Sequence, residues 1–121
     1  GSENSLSVPS AVKGRGLGLY GATKHGVLIT AEWLRDECAD ALDVHVLMPG
    51  AVYTPLIARG LPDPTQAPAS LGLIMPERCA EIALNGMDLG LFYIPTHAHI
   101  GDDIKPRYEG VQDALKQLGL R

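Results

Sequence analysis

The run Asp43-Val44-His45-Val46-Leu47-Met48-Pro49-Gly50 most constrains what this chain can become. It is apolar almost throughout, carries β-branched Val44 and Val46, and is stopped by Pro-Gly, so residues 44–48 read as a short strand. The run is entered through a helical pattern rather than a hairpin turn. A strand apolar along its length and reached through a helix belongs to a parallel sheet, where helices cover both faces. The same order recurs further on. Pro76 suits the first position of a helix, and Cys79, Ala80, Ala83, Leu84 and Met87 give that helix an apolar face. Gly90 marks its end, and Leu91-Phe92-Tyr93-Ile94 reads as a second short strand. The expected class is therefore α/β, with residues 3–8 as the tail of a further strand.

Residues 20–41 read as a long helix. At ~100° per residue, Tyr20, Lys24, Val27, Ala31, Leu34 and Cys38 fall on one stripe, which should face a core. Lys24 is the intruder. A buried lysine is costly unless it has a partner, so its place is beside a cavity at the first turns of the helix. Ile29 and Trp33 form a second apolar patch, suited either to the chain's own core or to another subunit. Residues 51–75 read as a long loop broken by Pro55, Pro62, Pro64 and Pro68, with a short helical turn at 55–58. The last helix is expected from about Asp102 to Leu118 along Ile104, Tyr108, Val111, Leu115 and Leu118, with Pro106 in its first turn.

Composition narrows the function. The 121 residues suffice for one small domain, and 45% apolar with 20% charged residues is a globular balance. The net charge of −4 and the lack of a Lys/Arg cluster argue against nucleic acid. No apolar run approaches the length of a membrane span. Cys38 and Cys79 form no CxxC pattern and read as reduced thiols of a cytoplasmic protein. His97 and His99 lack an evident third ligand, so no metal site is expected, and His45 reads as a half-buried packing residue. Gly14, Gly16 and Gly18 alternate before the long helix. A phosphate cradle there would need a complete apolar strand before it, and Lys13 and Arg15 occupy that approach, so a surface loop is the expectation. Gly1-Ser2 reads as a cloning remnant, leaving residues 3–121 as the domain.

The chemistry centres on Tyr20-Gly21-Ala22-Thr23-Lys24. Residues four apart on a helix are neighbours, which sets the Tyr20 phenol beside the Lys24 ammonium. A nearby cation favours a phenolate, and a phenol so tuned exchanges a proton with an alcohol or ketone near neutral pH. Ser7 lies thirteen residues before Tyr20, and Pro49-Gly50-Ala51-Val52-Tyr53-Thr54 ends the next strand. In this order and spacing, with Tyr-Gly-Ala-Thr-Lys-His-Gly-Val and the later Pro-Glu-Arg-Cys-Ala-Glu-Ile-Ala, the chain resembles the catalytic, C-terminal half of the short-chain dehydrogenase/reductase family from about Asn4 onward. The resemblance implies the second half of a doubly wound parallel (Rossmann-type) sheet, with the N-terminal half absent. It implies hydride transfer between NAD or NADP and a ketone or secondary alcohol. Tyr20 would be the general acid/base, Lys24 its electrostatic partner and a ligand of the nicotinamide ribose, and Ser7 a donor to the substrate oxygen. Pro49, Gly50, Val52 and Thr54 would lie against the nicotinamide, and the 55–75 loop would be the substrate lid. Its Leu56, Ile57, Leu61 and Leu71 hint at an apolar substrate.

The first half of that family carries the glycine turn for the pyrophosphate, the residue that selects NAD or NADP, and a relay Asn. No such turn follows a strand here, and Asn4 is too close to Ser7 for the relay. Two readings follow. In one, the chain is an inactive catalytic fragment of an oxidoreductase that is active in its full-length form. In the other, it is a stand-alone non-catalytic half-domain that self-associates. Both expect exposed apolar surface, met by a homo-oligomer or by the missing half.

Overall fold

The computed structural model describes residues 18–121; the strand tail at residues 3–8, Ser7 within it, and Gly14 and Gly16 lie outside the described residues. The elements follow in the order α1 (Gly18–Glu37), β1 (Val46–Met48), α2 (Pro55–Gly60), α3 (Pro76–Asp88), β2 (Tyr93–Pro95) and α4 (His99–Gln117). Single 3-10 turns occupy Pro64–Gln66 and Ala69–Leu71.

The doubly wound sheet expected from the sequence is not what forms. Among the described residues the sheet has two parallel strands of three residues each, pairing Val46 with Tyr93, Leu47 with Ile94 and Met48 with Pro95. Helices of 20, 6, 13 and 19 residues dominate instead. The reasons are local. Beyond Met48 the next N–H directed at β2 is that of Gly50, and it donates to the Thr96 hydroxyl instead of a backbone carbonyl, so both strands run out at the same level. At the other end Leu91 is already engaged. Its N–H donates to the Gly86 carbonyl at 3.0 Å, closing α3, and its carbonyl accepts from His45 Nδ1 at 2.6 Å. The ladder opens only where the Val46 N–H donates to Phe92, at 2.7 Å. Both strands are thus shorter than the apolar runs that signalled them.

The core is small. Val46, Met48 and Ile100 are buried together, with Leu28 and Ala31 of α1 and with Phe92 packed around them. On α3, Cys79 and Gly86 are buried, and Gly86 meets the side chain of Ile94 so closely that a Cβ there would lie 2.7 Å from Ile94 Cγ2. The missing side chain is what lets α3 cross β2 at this height.

The face that α1 turns inward differs from the stripe expected of it. Lys24, Ala31 and Cys38 are half-buried, but Val27 and Leu34 are exposed, and the inward positions include His25, Leu28, Glu32 and Arg35. Two of these are charged residues with specific partners. Tyr93 Oη donates to Glu32 Oε2 at 2.5 Å, and the Arg35 guanidinium lies over the Phe92 ring, 4.4 Å from its centroid. Such side chains bury their stems and keep their heads engaged, so apolar periodicity alone does not find them. Ile29 and Trp33 point away from the core, and Trp33 is 63% exposed.

The last helix begins at His99, earlier than expected, so Pro106 lies inside it rather than in its first turn. Ile100 is buried, whereas Ile104, Tyr108, Val111 and Leu118 are exposed. No helix among the described residues is long and apolar enough to cross a membrane.

Candidate active site at the carboxyl edge of the sheet

The direction of α1 places its first turns. Glu32 and Arg35 meet Tyr93 and Phe92, which sets the C-terminal half of α1 against the amino end of β2. Earlier in α1, Leu28 and Ala31 pack on the core of Val46, Met48 and Ile100. From Glu32 to Lys24 the helix spans about 12 Å at 1.5 Å per residue. From Tyr93 to Thr96 the strand and its exit span about 10 Å. Lys24 thus lies about one such length before the Glu32–Tyr93 contact, in the early turns of α1.

Lys24 is half-buried there. The backbone of Tyr20 lies in the first turn of α1, one helical turn before Lys24, and its side chain lies outside the described residues, as does Ser7. Beside Lys24, His25 is held from two sides. Its Nδ1–H donates to the Gly21 carbonyl at 2.9 Å, and its Nε2 accepts from Arg107 Nη1 of α4 at 3.1 Å.

The exit of β1 carries the residues expected at the nicotinamide. Pro49 is buried, and Gly50, Val52 and Thr54 follow half-buried along the strand exit, with a bend at Ala51. Val52 makes an isolated parallel bridge with Ile74. The Ile74 N–H donates to Ala51 at 3.0 Å, and the Tyr53 N–H donates to Ile74 at 2.8 Å. In a parallel pairing the residue whose neighbours are bonded turns its own N–H and C=O to the opposite side. Val52 thus offers one donor and one acceptor away from Ile74, a match for a primary carboxamide. The Thr54 hydroxyl accepts from the Ile57 N–H at 3.4 Å as the cap of α2, which leaves its own proton to donate.

Two residues at this edge were not assigned a role from the sequence. Thr96 Oγ1 accepts from the Gly50 N–H at 2.9 Å and lies 2.7 Å from His97 Nδ1. His97 Nε2 reaches the Gly72 carbonyl at 2.6 Å. The signal was a Thr-His pair directly after a strand, at the end where a parallel sheet gathers its polar groups. His99 is engaged elsewhere, its Nδ1 2.9 Å from Asp103 Oδ2 on the same helix.

The 55–75 segment is less irregular than its prolines suggested. Pro55 and Pro64 open turns rather than prevent them. Asp63 caps the second by accepting from both the N–H and the hydroxyl of Thr65, at 2.9 and 2.7 Å, and these bonds hold its carboxyl below the usual range.

Comparison with protein-family models, with curated proteins and with solved structures found no match. The likeness to short-chain dehydrogenases/reductases rests on the motifs themselves.

Proposed function

We propose that this chain carries the catalytic part of an NAD(P)-dependent short-chain dehydrogenase/reductase, acting on a ketone or secondary alcohol. What supports the reading is the spacing of Tyr20 and Lys24 on successive turns of α1, together with the outward N–H and C=O of Val52 at the exit of β1. In this reading the Tyr20 phenol gives a proton to, or takes one from, the substrate oxygen. Lys24 favours the phenolate, and Ser7 donates a hydrogen bond to the same substrate oxygen. The N–H and C=O of Val52 and the hydroxyl of Thr54 hold the nicotinamide carboxamide, with Pro49 and Gly50 shaping the turn. The nicotinamide, when bound, supplies or accepts the hydride. The pyrophosphate in this reading needs a glycine-rich turn after a strand, and no G-x-x-x-G-x-G occurs in the sequence. A cytoplasmic location accords with the two free thiols, Cys38 and Cys79.

Calorimetric titration with NAD(H) and NADP(H) tests this. The expected result is millimolar or no binding by the 121-residue chain, restored when an N-terminal cofactor-binding half is supplied. In such an intact version Tyr20→Phe should remove most turnover and leave cofactor affinity largely alone. Lost affinity with turnover intact would contradict the role of Tyr20.

A second reading, a non-catalytic half-domain that self-associates, is favoured by the exposed apolar side chains. Ile29, Trp33 and Leu34 line an open groove of about 360 Å³ on α1, together with Thr30 and Glu37. Light scattering decides this one, and a monodisperse monomer would count against it.

A further inference from the structure

We propose that Thr96 and His97 form a latch that positions the 61–75 segment over the carboxyl edge of the sheet, with His97 as the neutral Nε2–H tautomer. The role of that segment as a substrate lid rests on the oxidoreductase reading; the latch rests on the hydrogen bonds alone.

The outer bonds of the chain have directions set by their ends, and the proposed tautomer sets the one between them. The Gly50 N–H can only donate, and it donates to Thr96 Oγ1. The Gly72 carbonyl can only accept, so the His97 nitrogen 2.6 Å from it, Nε2, carries the ring proton. In the neutral ring Nδ1 is then bare and accepts. The Thr96 hydroxyl, already accepting from Gly50, has one proton to give, and Nδ1 lies 2.7 Å away. Donors and acceptors thus match in a single sense from Gly50 through Thr96 and His97 to Gly72.

Sterics agree with this wiring. A Cβ on Gly50 would lie 2.5 Å from His97 Nδ1 and 2.8 Å from Cγ, so the ring occupies the space a side chain would need. Gly72 has φ 63°, the left-handed conformation that ends the turn at Ala69–Leu71 and points its carbonyl at the ring. The segment is held at its base as well. The Tyr53 hydroxyl is shared between the carbonyls of Leu61 and Pro62, at 2.9 and 3.0 Å, and Ile74 bridges to Val52. Tyr53 holds its start, and His97 holds its return beside the very turn that faces the nicotinamide in the proposed site. His97 is therefore a positioning residue, acting on the site through Gly72 and Gly50.

The test needs neither cofactor nor turnover, so it succeeds or fails separately from the oxidoreductase reading. Long-range proton–nitrogen NMR of the 121-residue chain should place the His97 proton on Nε2, and a proton on Nδ1 would overturn the proposal. Amide exchange should then rise about fivefold at Gly72 and Ile74 in His97→Ala, the scale of one lost hydrogen bond, while amides of α3 hold. His97→Gln, which restores a donor toward Gly72, should recover part of the protection. Gly50→Ala keeps the imidazole but takes its seat, and should release the same amides. Unchanged exchange at Gly72 and Ile74 in both His97→Ala and Gly50→Ala would refute the latch. The tautomer is read on the unsubstituted chain, so it decides even if a variant fails to fold.

Discussion

Replacing Gly86 with alanine separates two opposing effects that the structure allows to be weighed. In a helix interior, glycine to alanine ordinarily stabilises by about 0.5–1 kcal/mol. At Gly86 the added Cβ would lie 2.7 Å from Cγ2, 2.8 Å from Cδ1 and 2.8 Å from Cγ1 of Ile94. Ile94 cannot step aside easily. It is 3% exposed, sits in the middle of β2, and two of the three atoms are fixed to its branched Cβ. Overpacking of this kind costs about 1–3 kcal/mol. Setting one range against the other leaves a net loss of about 1 kcal/mol, a fall of roughly 0.5–1 M in the urea midpoint for a small domain. Gly110 provides the control, since it lies in α4 and a methyl added there would meet nothing within 4 Å. Gly110→Ala should raise the midpoint. Urea unfolding followed by helical circular dichroism reads both. Adding Ile94→Val to Gly86→Ala removes one clashing methyl and should recover part of the loss, a coupling that a double-mutant cycle measures. If Gly86→Ala stabilised as much as Gly110→Ala, the close crossing of α3 over β2 would be wrong.

Three further outcomes are expected. The bond to Glu32 and partial burial hold the Tyr93 phenol above its ordinary value of 10.0, against a smaller opposing effect of Arg35. A raised folded-state value contributes stability that is fully present below about pH 10 and is lost as pH rises through it; Tyr93→Phe should flatten the alkaline fall in unfolding midpoint, and parallel curves would contradict this. Thr54→Ala should cost about 0.5 kcal/mol, the low end for a cap because its bond is 3.4 Å long, and Thr54→Ser should restore it in the same urea assay. Cys79 is 7% exposed and Cys38 half-buried, so a thiol titration should be biphasic, with Cys38→Ser removing the fast phase.

What was legible in the sequence was written in covalent terms. Pro76 and Gly90 bracket α3 because one lacks an N–H and the other adopts φ 73° without strain. The exit of β1 instead bends at Ala51 and bridges Val52 to Ile74, a pairing that no local pattern announced. The width of the sheet was not legible, because an apolar run shows that a segment suits a sheet and not how many strands come to meet it. Nor was the inward face of α1, where Glu32 and Arg35 gain their places from Tyr93 and Phe92, about sixty residues away in the chain. The bond from Gly50 to Thr96 was hidden for the same reason: it depends on the register of β1 with β2, which neither segment encodes alone.

Pro106 has a mechanical consequence. Lacking an N–H, it leaves the Asp102 carbonyl without its helical donor, and both residues face solvent. The first turn of α4 is clamped in the core by Ile100, and the very next residue after the proline, Arg107, reaches across to His25. The helix is therefore compliant at one point, between a fixed end and a tether. Bending there opens no ladder bond that the proline has not already removed. Flexure of α4 is therefore expected at Pro106, with Ile100 seated on one side and the Arg107–His25 contact moving on the other.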